Sequence, residues 1–219
     1  MNIPNVLTLL RIFFVPFLVF ALVQDNRTID VLGLLITNEI LALAIFLVAA
    51  ATDLLDGYLA RRWGQVTTVG TLLDPIADKL LISAALISLV QVRVLPGWMA
   101  VLIIGREFAV TGLRGIAASA GYTIKASDLG KTKMVAQVIA VSLLLLSMRW
   151  SQLHEAAMLW MWTVVFFSLF SAALYFRKFW RKVDDRIKLR RRRELLLLEK
   201  RERRKRRKRR VAPDGITAS

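Results

Sequence analysis

Six apolar stretches, each near the length a helix needs to cross a lipid bilayer, govern what this chain can fold into. They centre on residues 5–23, 31–60, 71–92, 96–119, 134–150 and 156–176. At a helical rise of about 1.5 Å per residue, roughly 20 residues span the hydrocarbon core. Hydrophobic residues make up 56% of the 219, too many for an ordinary soluble domain, and the chain is too long for a single anchor. The expected fold class is all-α, a polytopic membrane protein with six transmembrane helices. The chain has no cysteine, which removes disulfides, iron–sulfur clusters and thiolate zinc sites.

Charge orients the spans. Residues 24–30, 91–97 and 149–155 hold few basic groups (Arg27, Arg93 and Arg149), whereas 61–62, 125–133 and the tail hold the Lys/Arg excess. The positive-inside rule then puts both termini in the cytoplasm. The net charge of +16 is unevenly spread: residues 177–219 carry 20 Lys/Arg against 6 Asp/Glu, and residues 1–176 carry 12 against 10. A nearly neutral membrane domain, 1–180, is expected to precede a basic tail, 181–219, helical in part or disordered. The first stretch has no basic n-region, carries Arg11 internally and shows no convincing cleavage site, so it is expected to stay as a helix.

Between the second and third spans lie four aspartates: Asp53, Asp56, Asp74 and Asp78. One ionised carboxylate at the bilayer centre costs at least ~2.5 kcal/mol, so four need a physical reason. Repelling carboxylates in a small volume either share protons or gather multivalent cations. At about 100° per residue, Asp53, Asp56, Gly57 and Ala60 share one stripe of a helix. Gly70, Asp74 and Asp78 recur at intervals of four and also share a face. Two such stripes would form a cage of hard oxygen ligands suited to Mg²⁺ or Mn²⁺, ions that usually work on phosphates. The competing reading makes these acids helix caps or partners of Arg61, Arg62 and Lys79, which serves one acid better than four.

The run Asp53-x-x-Asp56-Gly57-x-x-Ala60-Arg61, then eight residues, then Gly70-x-x-x-Asp74-x-x-x-Asp78, resembles the signature of the CDP-alcohol phosphatidyltransferase family. The resemblance implies the fold of that family, six membrane helices and usually a homodimer, with its active site open to the cytoplasm. Such enzymes join a CDP-linked substrate to an alcohol and release CMP. Carried onto this sequence, the resemblance makes Asp53 and Asp74 bridge two metal ions, with Asp56 and Asp78 each completing the shell of one. It also makes Asp78 the general base and Gly57, Arg61 and Thr67 contacts of the CDP moiety. Small residues at Gly57 and Ala60 suit close approach of a nucleotide, and a guanidinium at Arg61 suits a phosphate.

The opening NIPNVLTLLRI, and GREFAVTGLRG with the downstream SDLGKTKMVAQ, resemble family members that use CDP-diacylglycerol with sn-glycerol 3-phosphate as acceptor. A phosphorylated acceptor needs cations, and the candidates are Arg106, Arg114, Lys131 and Lys133. For Arg106 the competing reading is a local pair with Glu107; for the lysines it is topology. Asn5 and Thr8, three apart on one face, are candidate nucleotide contacts, with helix packing as the alternative. Inositol phosphate or phosphatidylglycerol as acceptor fits the same motif. An ion-coupled transporter is the rival from another class, though clustering of the acids at one boundary beside Gly, Ala and Arg61 favours chemistry.

Other features carry less. GKT at 130–132 lacks the glycine at position 125 and the preceding strand of a phosphate-binding loop. His154, the lone histidine, reads as a surface group. Trp63, Trp98, Trp150 and Trp180 fall near span ends, as interfacial anchors do. The tail, with LLLL between basic blocks, reads first as a contact with anionic membrane lipids, then as a solvated end, and last as a nucleic-acid contact.

Overall fold

The computed structural model describes residues 3–24, 28–31, 34–63, 68–121 and 129–211, with side chains described outside 1–5, 25–36, 53–74, 122–132, 190 and 204–219. Six helices follow one another: α1 (Ile3–Val23), α2 (Asn38–Trp63), α3 (Thr68–Gln91), α4 (Gly97–Ser119), α5 (Leu129–Arg149) and α6 (His154–Val211). Among the described residues the architecture is all-α apart from one antiparallel hairpin, β1 (Thr28–Val31) and β2 (Leu34–Thr37), between α1 and α2.

That hairpin corrects the second apolar stretch, which was expected to be helical from residue 31 but becomes so only at Asn38. Thr28, Ile29, Val31, Ile36 and Thr37 are β-branched and favour extended backbone. The strands pair in antiparallel register, Thr28 with Thr37 and Val31 with Leu34. Hydrophobicity alone did not separate these strands from the helix that follows. Buried Asn38 then ties the start of α2 to the end of α1, its Nδ2 donating to the Gln24 carbonyl at 3.3 Å.

α1 lies against α2 and α3; α2 also meets α5, and α3 meets α4 and α5. Ala42, Ala49, Ala85, Ala140 and Ala157 are fully buried, and small side chains at such positions let helix backbones approach closely. Phe46, Leu86, Leu89, Met99, Ile103 and Leu144 fill the space between them. Two helix ends are closed by left-handed residues. Arg93 (φ 60°) turns the chain after α3, with the Val94 and Leu95 N–H groups donating to the Leu89 carbonyl. Gly121 (φ 74°) does so after α4, its N–H reaching the Ala118 carbonyl at 2.9 Å.

The outward faces are strongly apolar: Phe13, Val101, Leu159 and Phe166 are 59%, 69%, 71% and 66% exposed. Apolar surface on this scale marks contact with lipid or another protein. By length and composition, α1 over Val6–Val23 and the apolar part of α6 qualify individually as membrane crossings among the described residues. α6 contains neither Gly nor Pro, and its Leu, Lys, Arg and Glu residues are good helix formers, so its helix runs on to Val211. The chain divides into two compact units, Met1–Ala173 and Leu174–Ser219. In the second, Leu195–Leu198 are exposed, flanked by Glu194 and Glu199 with basic blocks beyond them.

Candidate active site

Asp53 and Asp56 lie in the second half of α2, and Asp74 and Asp78 in the first half of α3. The two helices touch, so both halves of the carboxylate motif belong to one helix pair. The side chains of Asn5, Asp53, Asp56, Gly57, Ala60, Arg61, Asp74 and Lys131 lie outside the described residues, as does Thr67 altogether; the backbone of all but Thr67 is helical. Among the described residues no three His, Asp or Glu side chains converge as a metal site, and Asp78 is the one expected ligand they include.

Asp78 is half-buried at 31% exposure and is met from α1 by Arg11, whose Nη1 donates to Asp78 Oδ1 at 3.1 Å. Arg11 is completely buried, and so is Thr8 one turn before it. Isolated burial of a guanidinium costs several kcal/mol, on the order of the whole stability of a small domain, unless a counter-charge is supplied. The Asp78 carboxylate supplies one. Arg11 was not among the expected site residues; a single arginine inside the 5–23 stretch was the signal that marked it.

A second cluster joins α4, α5 and α6. The Arg106 fork donates from Nη1 to Glu107 Oε1 at 2.8 Å, from Nε to the Ser168 carbonyl at 3.1 Å, and from Nη2 to Ser171 Oγ at 3.1 Å. Lys133 pairs with the same Glu107 carboxylate from α5. The side chains of Arg106 and Lys133 are only 9% and 8% exposed. The local Arg106–Glu107 pair is thus present, together with a tie between helices that the pair alone does not explain. Lys79, next to Asp78 on α3, lies within the field of Asp78 and of Arg114, and its charge also acts on Lys133. Arg114 in turn acts on Arg106. The structure therefore joins Arg106 and Lys133 through Glu107, while Arg114 and Lys79 act on these groups through their charge.

Two nearly buried cations, Arg106 and Lys133, share the single Glu107 carboxylate, a local excess of positive charge suited to an anion. The motif's aspartates on α2 and α3 are hard oxygen donors without a soft ligand among them, a donor set that suits a hard divalent cation. A helical bundle holding both features is a protein that handles phosphate-bearing substrates at an apolar boundary. The chain belongs to the CDP-alcohol phosphatidyltransferase family, whose model matches residues 1–170.

Curated relatives extend over most of the chain. A CDP-diacylglycerol–glycerol-3-phosphate 3-phosphatidyltransferase of Bacillus subtilis strain 168 is 47% identical over 184 residues, 82% of this chain and 95% of the relative. The protein of that name from Rickettsia bellii is 34% identical over 179 residues, covering 80% and 94%. A probable phosphatidylglycerophosphate synthase of Mycobacterium tuberculosis H37Rv is 39% identical over 174 residues, covering 80% and 79%. This membership removes the transporter reading.

Proposed function

We propose that this chain is the phosphatidyltransferase that moves the phosphatidyl group of CDP-diacylglycerol to sn-glycerol 3-phosphate, giving phosphatidylglycerophosphate and CMP. The observation that carries the acceptor assignment is the nearly buried pair of cations Arg106 and Lys133, which share one Glu107 carboxylate and feel the charges of Arg114 and Lys79. An acceptor with its own phosphate needs counter-charges of this kind. The relatives' names support the same acceptor.

In the reaction, a hydroxyl oxygen of glycerol 3-phosphate attacks the phosphatidyl phosphorus. A new P–O bond forms, the P–O bond to CMP breaks, and CMP leaves with the bond's electron pair. Asp78 takes the hydroxyl proton, the task of a positioned carboxylate within hydrogen-bond reach. Asp53 and Asp74, with Asp56 and Asp78, would hold two Mg²⁺ or Mn²⁺ ions; when bound, these neutralise phosphoryl charge and stabilise departing CMP. Asn5, Thr8, Gly57, Ala60, Arg61 and Thr67 would receive the CDP moiety, and Arg106, Arg114, Lys131 and Lys133 the acceptor phosphate. Arg106 and Lys133, nearly buried and already held by Glu107, would lose little entropy on binding that phosphate.

Residues 1–180 would form a six-span catalytic domain in the bacterial cytoplasmic membrane, as a homodimer with both termini and the active site facing the cytoplasm. The exposed apolar faces of α1, α4 and α6 support that placement. Tail residues 181–219 would lie against anionic lipid. Each Lys or Arg near such a surface contributes about 1 kcal/mol, so removal of residues 190–219 should markedly weaken co-sedimentation of the detergent-solubilised protein with phosphatidylglycerol liposomes at low salt. Unchanged co-sedimentation would leave the tail a solvated end.

The acceptor is tested directly with purified protein, CDP-diacylglycerol and Mg²⁺, by measuring CMP release. Glycerol 3-phosphate should support turnover, whereas inositol phosphate and phosphatidylglycerol should give rates near background. Turnover with inositol phosphate and none with glycerol 3-phosphate would overturn the assignment while leaving the family intact.

A further inference from the structure

We infer that Arg11 is a positioning residue of this reaction, holding the Asp78 carboxylate from α1 in the orientation that meets the acceptor hydroxyl. The inference rests on the reading of Asp78 as general base.

Arg11 is an unusual residue for its place. Its neighbours in α1 are almost entirely apolar, and every atom of its side chain is buried. An apolar side chain of similar volume often fills such a position as well or better than half of an ion pair. The charge is therefore the part of Arg11 that needs explaining. Its Asp78 partner is 67 residues away on another helix, so the contact is neither a helix cap nor a local pair. α1 packs on both α2 and α3, the two helices that carry the motif's aspartates. Val15, Leu18, Ala21 and Leu22 anchor α1 in the core and fix its position.

Asp78, unlike Arg11, keeps part of its surface open, as a group that must meet a substrate requires. A carboxylate on a short side chain still rotates, and one charge-assisted hydrogen bond from a rigid donor restricts that rotation. The Nη1–Oδ1 contact at 3.1 Å is such a bond. A misplacement of about 1 Å in a reacting group can cost around 10²-fold in rate, so orientation of this one carboxylate has a measurable consequence.

The test uses full-length protein carrying Arg11→Met, Arg11→Gln or Arg11→Lys, with kcat, both KM values and the melting temperature measured. Arg11→Met should lower kcat by ~10²-fold while both KM values stay within about threefold, because alignment and not substrate affinity is lost. Arg11→Lys, which keeps the charge, should recover about tenfold of that loss. Arg11→Met should also melt early, and the double variant Arg11→Met/Asp78→Asn should regain melting temperature because neither half of the pair is then left as a charge without the other. Should Arg11→Met fail to fold, Arg11→Gln against Arg11→Lys carries the same comparison. A kcat within twofold of wild type would make Arg11 a strut alone, and a loss confined to KM for CDP-diacylglycerol would make it a nucleotide contact; either overturns the inference. Asp78→Asn assayed in parallel separates the two readings. Retained turnover in that variant rejects the base assignment, whereas an inactive Asp78→Asn beside a fully active Arg11→Met rejects only the role of Arg11.

Discussion

Asp78→Asn should lower kcat for CMP release by about 10²–10⁴-fold, the range that a positioned general base contributes. Asparagine matches aspartate in size and keeps a carbonyl oxygen that accepts from Arg11 Nη1, where Oδ1 accepts now at 3.1 Å. The local geometry therefore survives while the ability to take a proton is lost. The substitution also strips the buried Arg11 of this counter-charge, so stability should fall by about 3 kcal/mol, the scale for breaking a buried pair on one side. Both quantities are read from one purified protein, the first by CMP release under saturating substrates and the second by thermal melting. Adding Mg²⁺ or Mn²⁺ up to high concentration should not restore the rate, since the missing function is proton removal. Turnover within tenfold of wild type would reject Asp78 as the base, whatever happens to the melting temperature.

How far the sequence could be read depended on which physical signal each feature left. The helices were legible because each carries a long apolar run, and their order and approximate places agree with the apolar stretches. The motif was legible because four carboxylates at helical spacing in an apolar setting are more than helix caps and local ion pairs require. The hairpin at Thr28–Thr37 was missed because its residues are as apolar as the helix that follows, and hydropathy does not register backbone conformation. Arg11 was visible as an oddity, but its partner lies 67 residues away, a distance no local pattern spans. Glu107 entered only as a neighbour of Arg106; its second partner, Lys133, sits on another helix and emerges only from a side-chain contact between α4 and α5. Lys79 was read as a local counter-charge to the acids, whereas its field also reaches Arg114 and Lys133. Contacts within one helix leave a periodic trace in the sequence, and contacts between helices do not.

Replacing Arg106 separates two roles that the structure combines in one side chain. Arg106→Met removes hydrogen bonds to Glu107, to the Ser168 carbonyl and to Ser171, all made by a side chain only 9% exposed. Losing this tie and leaving Glu107 to Lys133 alone should cost about 3 kcal/mol of stability. If Arg106 also receives the acceptor phosphate, loss of a charge-assisted bond worth ~1.5–3 kcal/mol should raise KM for glycerol 3-phosphate by about 10–100-fold. KM for CDP-diacylglycerol should stay near wild type, because the groups assigned to the nucleotide lie on α1, α2 and the link that follows α2. Arg106→Lys divides the effects further. It retains the positive charge but not the planar fork that reaches three acceptors at once, so melting should fall nearly as far as in Arg106→Met while KM for the acceptor rises much less. A lowered melting temperature with an unchanged acceptor KM in both variants would leave Arg106 as a helix tie, and the acceptor phosphate would then fall to Lys79, Arg114 and Lys133.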